Sequence, residues 1–287
     1  MPIGGVRDCI HGSWAAILSA GVTTLFLISS AQAGSGANFV TYNHHMADKG
    51  EAEISVYSDF SSVGLAEGYA AQLVELEYGV TDRWTSALYF EGVATEGESY
   101  AFGGWRFENR VRLFRETVPF NPVLYIEYEQ PEPEHRYKHT VTGRTDGEEE
   151  DEESTEHEIE SKLILGQDLS ERLDIAFNWI NEANLDNGDW EFGYAAGLNY
   201  TLFEVEGGRE SFFGGFEEVK LGVELFGGLG DSVEGLTLDG GKTEQYAGIN
   251  LLGELEGGLE IGAGVAFGLT RDSEDAIVRM RLSYEFK

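Results

Sequence analysis

The chain has 287 residues, with 52 acidic and 19 basic side chains and a formal net charge of −33. Such a negative charge argues against nucleic-acid binding, which requires basic side chains to neutralise phosphates. Hydrophobic residues make up 41% of the chain, which is too many for a disordered acidic protein. The length fits one large domain, or at most two. The composition therefore predicts a folded protein whose acids lie on solvated surfaces.

Residues 1–33 have the features of a signal peptide. A polar lead is followed by an apolar run over Ala15–Ser29, and Ala31-Gln32-Ala33 resembles a cleavage site. The run is short for a membrane-spanning helix, which needs about 20 residues. Cleavage would remove Cys9, the only cysteine of the sequence, so the mature chain would contain no disulfide. We expect an exported protein in which residues 34–50 form a periplasmic N-terminal segment.

The rest of the chain alternates apolar and polar residues with a period of two. In the final segment Val278, Met280 and Leu282 fall on one face, and Arg279 and Arg281 fall on the other. This pattern is typical of a β-strand. No window after the signal peptide is apolar enough for a membrane-spanning helix. The alternation predicts twelve strands, near residues 51–60, 70–80, 84–93, 101–114, 123–129, 158–167, 173–182, 190–202, 217–227, 245–252, 258–269 and 275–286.

The connections between these segments alternate in length. Turns 81–83, 168–172 and 253–257 are short, whereas connections 130–157 and 228–244 are long. Outer-membrane barrels combine short periplasmic turns with longer external loops, and closure leaves no sheet edge unpaired in lipid. A soluble β-sandwich is the alternative, because its strands also alternate. We predict an all-β chain with a single twelve-stranded transmembrane antiparallel barrel over residues 51–287, in the bacterial outer membrane, with both barrel termini periplasmic.

Four phrases of the sequence resemble an uncharacterised family of bacterial outer-membrane β-barrel proteins. They are Lys49-Gly50-Glu51, Glu75–Trp84 with Ala87–Tyr89, Asn121–Glu127 and Glu160–Leu165. The family lies in the broad group of barrels associated with meta-pathway phenol degradation. The resemblance covers about half of the mature chain and implies a barrel fold and an outer-membrane location, but no active site. The last strand also resembles the C-terminal signal for barrel insertion, although it ends in Phe286-Lys287 and not on the aromatic residue.

Charged residues on the polar face of the strands are predicted to line the lumen. They are Glu75, Glu77, Glu91, Arg106, Glu108, Arg110, Arg112, Glu127, Glu129, Glu260, Arg279 and Arg281. Opposed acids and bases could select permeants by charge. Alternatively they simply pair, because an isolated buried charge is costly. Twelve strands lie between the small filled barrels and the large open porins, so we expect a narrow or partly filled lumen.

Residues 130–157 are predicted to form a long acidic external loop. Asp146–Glu160 contains ten acids and no base, so this run repels itself too strongly to fold alone. Carboxylate oxygens suit Ca²⁺ or Mg²⁺, which makes divalent cations a candidate partner. The run lacks the ligand spacing of a defined calcium loop, and a solvated loop is the preferred interpretation.

No metal site or catalytic site is predicted. His135 and His139 are four residues apart but no helix is indicated there, and His44-His45 lie in the expected periplasmic N-terminal segment and are equally weak evidence for a metal site. Ser154 and His157 are the nearest approach to a nucleophile and base, without a third residue to orient them. We therefore expect no enzymatic activity and no cofactor.

The sequence favours a passive channel or uptake route for small solutes. The alternative is a filled structural barrel whose acidic loops bind divalent cations, lipopolysaccharide or a partner, and an outer-membrane lipid-modifying enzyme is a less favoured third hypothesis. The expected partners are membrane lipid, lipopolysaccharide and the barrel-assembly machinery, and nucleic acid is not among them.

Overall fold

The computed structural model of the chain describes residues 36–61, 69–95, 100–114, 118–131, 157–205, 215–239, 242–271 and 273–286. The predicted signal peptide, most of the acidic loop, and His135, His139 and Ser154 lie outside these ranges. No helix in the described part of the chain is long and apolar enough to cross a membrane.

The described residues form one antiparallel sheet that closes into a barrel. Its strands are β1 (Ala52–Ser61), β2 (Tyr69–Thr81), β3 (Trp84–Thr95), β4 (Ala101–Arg112), β5 (Pro122–Pro131), β6 (Glu158–Ser170), β7 (Leu173–Asn184), β8 (Trp190–Glu204), β9 (Phe216–Asp231), β10 (Gly235–Leu236), β11 (Gln245–Leu255), β12 (Leu259–Gly268) and β13 (Ala276–Phe286). Neighbours in the barrel follow chain order, and β13 pairs with β1 to close it. The two-residue β10 pairs only with the end of β9 within the described sheet, so twelve strands form the wall.

The twelve predicted strands and the all-β barrel fold are confirmed. The main difference is length, because β8 and β9 extend to Glu204 and Asp231, beyond the ends expected at residues 202 and 227. The short β10 is also absent from the prediction, since a two-residue strand has no measurable alternation. Closure satisfies the backbone of the first and last strands, which would otherwise be edges.

The two ends of the barrel differ in their connections. At the turn end, defined by connections 82–83, 171–172 and 256–258, adjacent strands follow one another almost directly. In two of these turns a side-chain hydroxyl accepts a hydrogen bond from the backbone N–H two residues later. Arg83 N–H donates to Thr81 Oγ1 and Arg172 N–H donates to Ser170 Oγ, both at 3.3 Å. Such local bonds favour tight turns. The loop end, defined by connections 62–68, 132–157 and 232–244, has the longest segments. The asymmetry has exceptions, because connections 96–100 and 185–189 at the loop end are short and connections 113–121 and 205–215 at the turn end are long.

The outer face of the wall is apolar. Every barrel strand places at least one large apolar side chain outward with 39–55% of its surface exposed, and one per strand is Phe60, Leu76, Phe90, Phe107, Ile126, Leu163, Phe177, Tyr200, Leu225, Leu251, Ile261 and Met280. A continuous apolar belt of this extent is far larger than the patches of soluble monomers. The chain therefore has the fold of a transmembrane β-barrel.

Candidate functional site

Residues 36–50 run through the interior of the barrel. Nine of them are buried, namely Gly36, Ala37, Asn38, Phe39, Thr41, Asn43, His44, Met46 and Ala47, whereas residues 48–50 are exposed. At the turn end this inner segment leaves the interior beside Gly79, whose carbonyl accepts a 2.7 Å bond from Gly50 N–H. The expectation that residues 34–50 form a periplasmic segment stays a prediction, and it did not include this packing against the barrel wall. The inner segment has no strand periodicity, and its place is set by polar groups of the wall that are distant in sequence.

Glu224 of β9 holds the centre of the inner segment. Its carboxylate accepts hydrogen bonds from the backbone N–H groups of Phe39, Val40 and Thr41, the last two at 3.1 Å, and from Thr41 Oγ1 at 3.0 Å. Asn250 Nδ2 also donates to it at 3.0 Å. Consecutive backbone N–H groups that converge on one anion form a nest, which stabilises the buried negative charge.

Asn178 of β7 holds the next residue of the inner segment. Its Oδ1 accepts from Tyr42 N–H and its Nδ2 donates to the Tyr42 carbonyl, both at 2.8 Å. Asn178 is fully buried, so this pair of bonds satisfies the backbone of Tyr42 away from solvent. The Tyr42 hydroxyl donates to Glu108 at 3.1 Å, so Tyr42 also contacts β4, three strands from β7 in the wall.

Three arginines of the wall donate to carbonyls of the inner segment. Arg279 donates to the Phe39 carbonyl at 2.6 Å and Arg112 donates to the His44 carbonyl at 3.0 Å. Arg281 donates to the Gly36 carbonyl at 3.2 Å. Because Arg279 also binds both oxygens of Asp59 at 2.7 Å, the inner segment and the wall share one hydrogen-bond network.

Glycines on the inner face of the strands leave room for the inner segment in the lumen. A Cβ added at Gly222 would lie 2.5 Å from Asn38 Oδ1 and 3.1 Å from Ala37 Cβ. At Gly197 it would lie 3.0 Å from Thr41 Cβ, and at Gly166 it would lie 2.7 Å from His44 Nδ1. Side chains at these positions would collide with the inner segment, which explains part of the high glycine content of the strands.

The structure places the twelve predicted lumen-lining residues on the inner face of the wall. Arg110, with 1% of its surface exposed, forms ion pairs with Glu77 and with Glu108. Glu75 accepts hydrogen bonds from the hydroxyls of Tyr57 at 2.8 Å and Tyr89 at 2.7 Å. These groups fill the wall side of the lumen near Tyr42.

Two further groups of the predicted residues also form ion pairs. Arg106 lies 3.0 Å from Glu91, 3.4 Å from Glu129 and 3.9 Å from Glu127. Arg281 lies 3.1 Å from both Glu53 and Glu260. The role of these residues in permeation stays a prediction.

A cavity of about 140 Å³ lies on the loop-end side of the inner segment. Phe39, Val40 and Tyr42 form its floor, and inward residues of the strands form its sides. Its charged lining comprises six acids and three bases, namely Asp59, Glu91, Glu127, Glu129, Glu160 and Glu182 with Arg106, Lys162 and Arg279. Four of these residues, Asp59, Glu160, Glu182 and Lys162, are not among the predicted lumen-lining residues, although the alternation of their strands places them on the same face.

Inward acids lie opposite one another across several strands. Glu127 faces Glu160, Glu160 faces Glu182, and Glu182 faces Glu191 in the sheet register. Like charges directly opposite are destabilising, and Lys162 Nζ offsets part of this repulsion at 2.8 Å from Glu160. The cavity wall therefore carries a concentrated negative charge.

An acidic pair lies at the loop end, outside the strands. Burial and the nearby carboxylate of Glu244 raise the pKa of Glu274 to about 7. The Tyr246 hydroxyl donates to Glu244 at 2.6 Å and accepts from Glu274 N–H at 3.1 Å, which fixes the two loops next to each other. Glu274 therefore exchanges its proton near neutral pH.

Comparison with solved structures identifies outer-membrane barrels. An outer-membrane channel from Pseudomonas putida F1 matches with a TM-score of 0.52 and 12% identity, over 84% of this chain and 97% of that chain. The KdgM porin in complex with disordered oligogalacturonate has a TM-score of 0.49 and 8% identity, over 82% of this chain and 98% of that chain. The translocator domain of the autotransporter NalP from Neisseria meningitidis has a TM-score of 0.45 and 9% identity, over 85% of this chain and 90% of that chain. The first of these similarities supports the fold.

No protein-family model and no curated protein sequence matches the chain. The resemblance to the group of meta-pathway barrels therefore stays a prediction. The pairing of Ser154 with His157 lies outside the described residues, and His157 itself contacts the Tyr128 hydroxyl at 2.5 Å. The expectation of no enzymatic activity also stays a prediction.

Proposed function

We propose that this chain is a bacterial outer-membrane channel or uptake route for small solutes, closed at rest by the inner segment. The observation that carries the proposal is the charged cavity on the loop-end side, whose floor is Phe39, Val40 and Tyr42. A solute that enters this cavity meets the inner segment, whose Phe39 and Tyr42 pack against apolar residues of the wall. Displacement of that stretch would connect the cavity with the turn end.

The outer surface supports the membrane location. The apolar belt on every strand matches the lipid-facing band of such barrels, and Trp84, Tyr200 and Tyr284 are exposed near the turn end, as in an aromatic girdle. In our proposal the turn end is periplasmic, because barrels of this class have short periplasmic turns. Both barrel termini then lie in the periplasm and the acidic loop 130–157 is external.

The charge of the cavity favours cationic and neutral solutes. Six acids against three bases leave an excess of negative charge in a confined space, where electrostatic effects on passing ions are strong. The proposed path would repel anions and attract cations, in agreement with the acidic external loop.

The decisive experiment is conductance in planar bilayers with a variant that releases the inner segment. Glu224→Ala removes the acceptor of three backbone N–H groups, so we expect larger and more frequent openings than in the wild type. Glu218→Gln is the matched control, because this inward acid of the same strand binds Thr201 and Lys220. Absence of conductance from correctly folded wild-type and Glu224→Ala proteins would refute the channel.

The filled structural barrel is the second candidate. The packing of the inner segment and the ion pairs around Arg110 and Arg281 favour it, because they occupy much of the lumen. It predicts no conductance from either protein. Its proposed ligands are divalent cations, lipopolysaccharide or a partner at the acidic loop, and deletion of residues 145–155 would abolish their binding without unfolding the barrel.

A further inference from the structure

Two adjacent histidines of the inner segment meet an aspartate of the wall at the turn end. His44 Nε2 lies 3.2 Å from Asp168 Oδ2, and His45 Nε2 lies 3.1 Å from Asp168 Oδ1. Asp168 is 124 residues from His44 in the sequence and belongs to β6. The three side chains combine two imidazoles and one carboxylate, which is a common donor set for divalent transition metals.

The spacing of these donors fits a metal ion. Zinc binds imidazole nitrogen at about 2.0–2.1 Å and carboxylate oxygen at about 2.0–2.2 Å, so neighbouring donors around a tetrahedral ion are about 3.3 Å apart. Each histidine Nε2 is within 0.2 Å of that distance from one oxygen of Asp168, His44 from Oδ2 and His45 from Oδ1, so a bound ion would replace the two hydrogen bonds that the histidines make with the carboxylate. One donor atom from each residue lies within 4.8 Å of the other two, which leaves all three within reach of a single ion.

The surroundings hold the donors in place and leave the site accessible. The His44 side chain is only 6% exposed and its ring lies against Gly166, while its carbonyl accepts from Arg112. Asp168 and His45 are 54% and 36% exposed, so water can complete the coordination and an ion can enter from solution. Asp174 lies directly opposite Asp168 in the sheet and adds a second negative charge beside the donors.

We propose that His44, His45 and Asp168 bind one divalent transition-metal ion of the zinc type. Two ligands lie on the inner segment and one lies on the wall, so the bound ion would fasten the inner segment to β6. A solvent-accessible coordination position remains. The proposal is independent of conduction, because a metal clamp would form equally in a channel and in a filled barrel.

Zinc binding to the folded, untagged mature protein tests the proposal. The protein is refolded in detergent, stripped with a chelator, and titrated with zinc while bound metal is counted. We expect one tight equivalent per barrel. Asp168→Asn and His45→Ala should each lower the affinity at least about tenfold, since each removes a direct ligand. His157→Gln is the matched control and should retain the tight equivalent, because His157 contacts Tyr128 at the loop end.

Cobalt provides a second measurement that needs no variant. Addition of one equivalent of Co²⁺ to the stripped wild-type protein should produce the visible absorption of a four- or five-coordinate ion, and zinc should remove it. Heat-modifiable mobility in gels verifies that each variant is folded. The proposal is overturned if the wild type retains less than one equivalent and gives no such absorption, or if Asp168→Asn and His45→Ala both bind zinc as the wild type does.

Discussion

Arg110 shows how single residues are constrained inside this barrel. It is 1% exposed, forms ion pairs with Glu77 and Glu108, and lies 5.3 Å from the centre of the Tyr42 ring. Two buried acids therefore depend on one base. Loss of one member of a buried ion-pair network leaves an uncompensated charge, which is more damaging than exposure of a surface pair.

Replacement of Arg110 should destabilise the barrel strongly. We expect Arg110→Met to lower the free energy of unfolding by about 3–5 kcal/mol, because Glu77 and Glu108 lose their shared base. The measurement is urea unfolding in lipid vesicles. The double variant Arg110→Met/Glu77→Gln should recover part of the loss, and a single-variant cost below about 1 kcal/mol would contradict the importance of the network.

Glu274 gives a pH dependence at the residue scale. Its folded-state pKa of about 7 lies above the ordinary value of 4.5, so the folded protein binds this proton more tightly than the unfolded chain does. The stabilisation is complete below about pH 4.5 and is lost as the pH rises through 7. Glu274→Gln should therefore reduce the fall in stability between these pH values.

The measurement is the free energy of unfolding of wild-type and Glu274→Gln proteins from pH 4.5 to pH 8. Asp275→Asn is the matched control, because Asp275 is the next residue and is exposed. Identical pH profiles for the wild type and Glu274→Gln would show that burial and Glu244 do not raise the pKa of Glu274 in the folded protein.

Among the structural elements, the inner segment can approach the strands closely because the strands have glycine, which lacks a side chain, at the points of contact. Gly222 of β9 and Gly197 of β8 lie directly against Asn38 and Thr41. The strands would pair equally well with other residues at these positions. The close approach of a second chain segment requires glycine there.

A larger side chain at residue 222 should displace the inner segment without opening the wall. In a chain that begins at residue 34 and therefore lacks Cys9, a Thr41→Cys reporter should resist a water-soluble maleimide, because Thr41 is fully buried. Addition of Gly222→Val should increase its labelling rate at least about tenfold. The new Cβ would lie only 2.5 Å from Asn38 Oδ1 and 3.1 Å from Ala37 Cβ, and this steric clash would displace the inner segment. Val223→Leu, on the exposed outer face, should leave labelling unchanged. Equal rates in all three proteins would show that the inner segment does not depend on Gly222.

At the scale of the whole molecule, charge is separated from the apolar belt. The sequence has 52 acidic against 19 basic side chains, and the cavity lining shows the same excess, with six acids against three bases. The outer face of every strand instead carries large apolar groups. A path through such a molecule should discriminate between cations and anions.

The conducting state should prefer cations, and Glu182 should contribute to that preference. In the Glu224→Ala background, a potassium chloride gradient should give a reversal potential of cation-selective sign. Glu182→Gln should reduce the ratio of cation to anion permeability by up to about fivefold, since a unit charge at about 4 Å contributes about 1 kcal/mol in water. Glu171→Gln, in an exposed turn, is the control. A preference for anions, or no effect of Glu182→Gln, would contradict the role of the cavity acids.

The wall of the barrel could be predicted from the sequence because its information is local. Alternation along β13 assigns Met280 and Leu282 to the outer face and Arg281 to the inner face without knowledge of any other strand. The turn after Ser170 is likewise fixed by a hydroxyl two residues before Arg172. Both signals lie within a few consecutive residues, so they can be recognised without knowledge of which strands pair in the barrel.

The twelve strands, their two faces and the barrel class are predictable from the amino-acid sequence alone, because they depend on period-two patterning and on short connections. The position of residues 36–47 inside the barrel and the contact of His44 and His45 with Asp168 are visible only in the three-dimensional fold. The inner segment has no periodicity, and its partners Asn178, Glu224 and Arg279 are 136 to 240 residues away in the chain. Closure of the sheet places these residues around the same lumen. Their contacts with the inner segment cannot be predicted from the sequence pattern of any single strand.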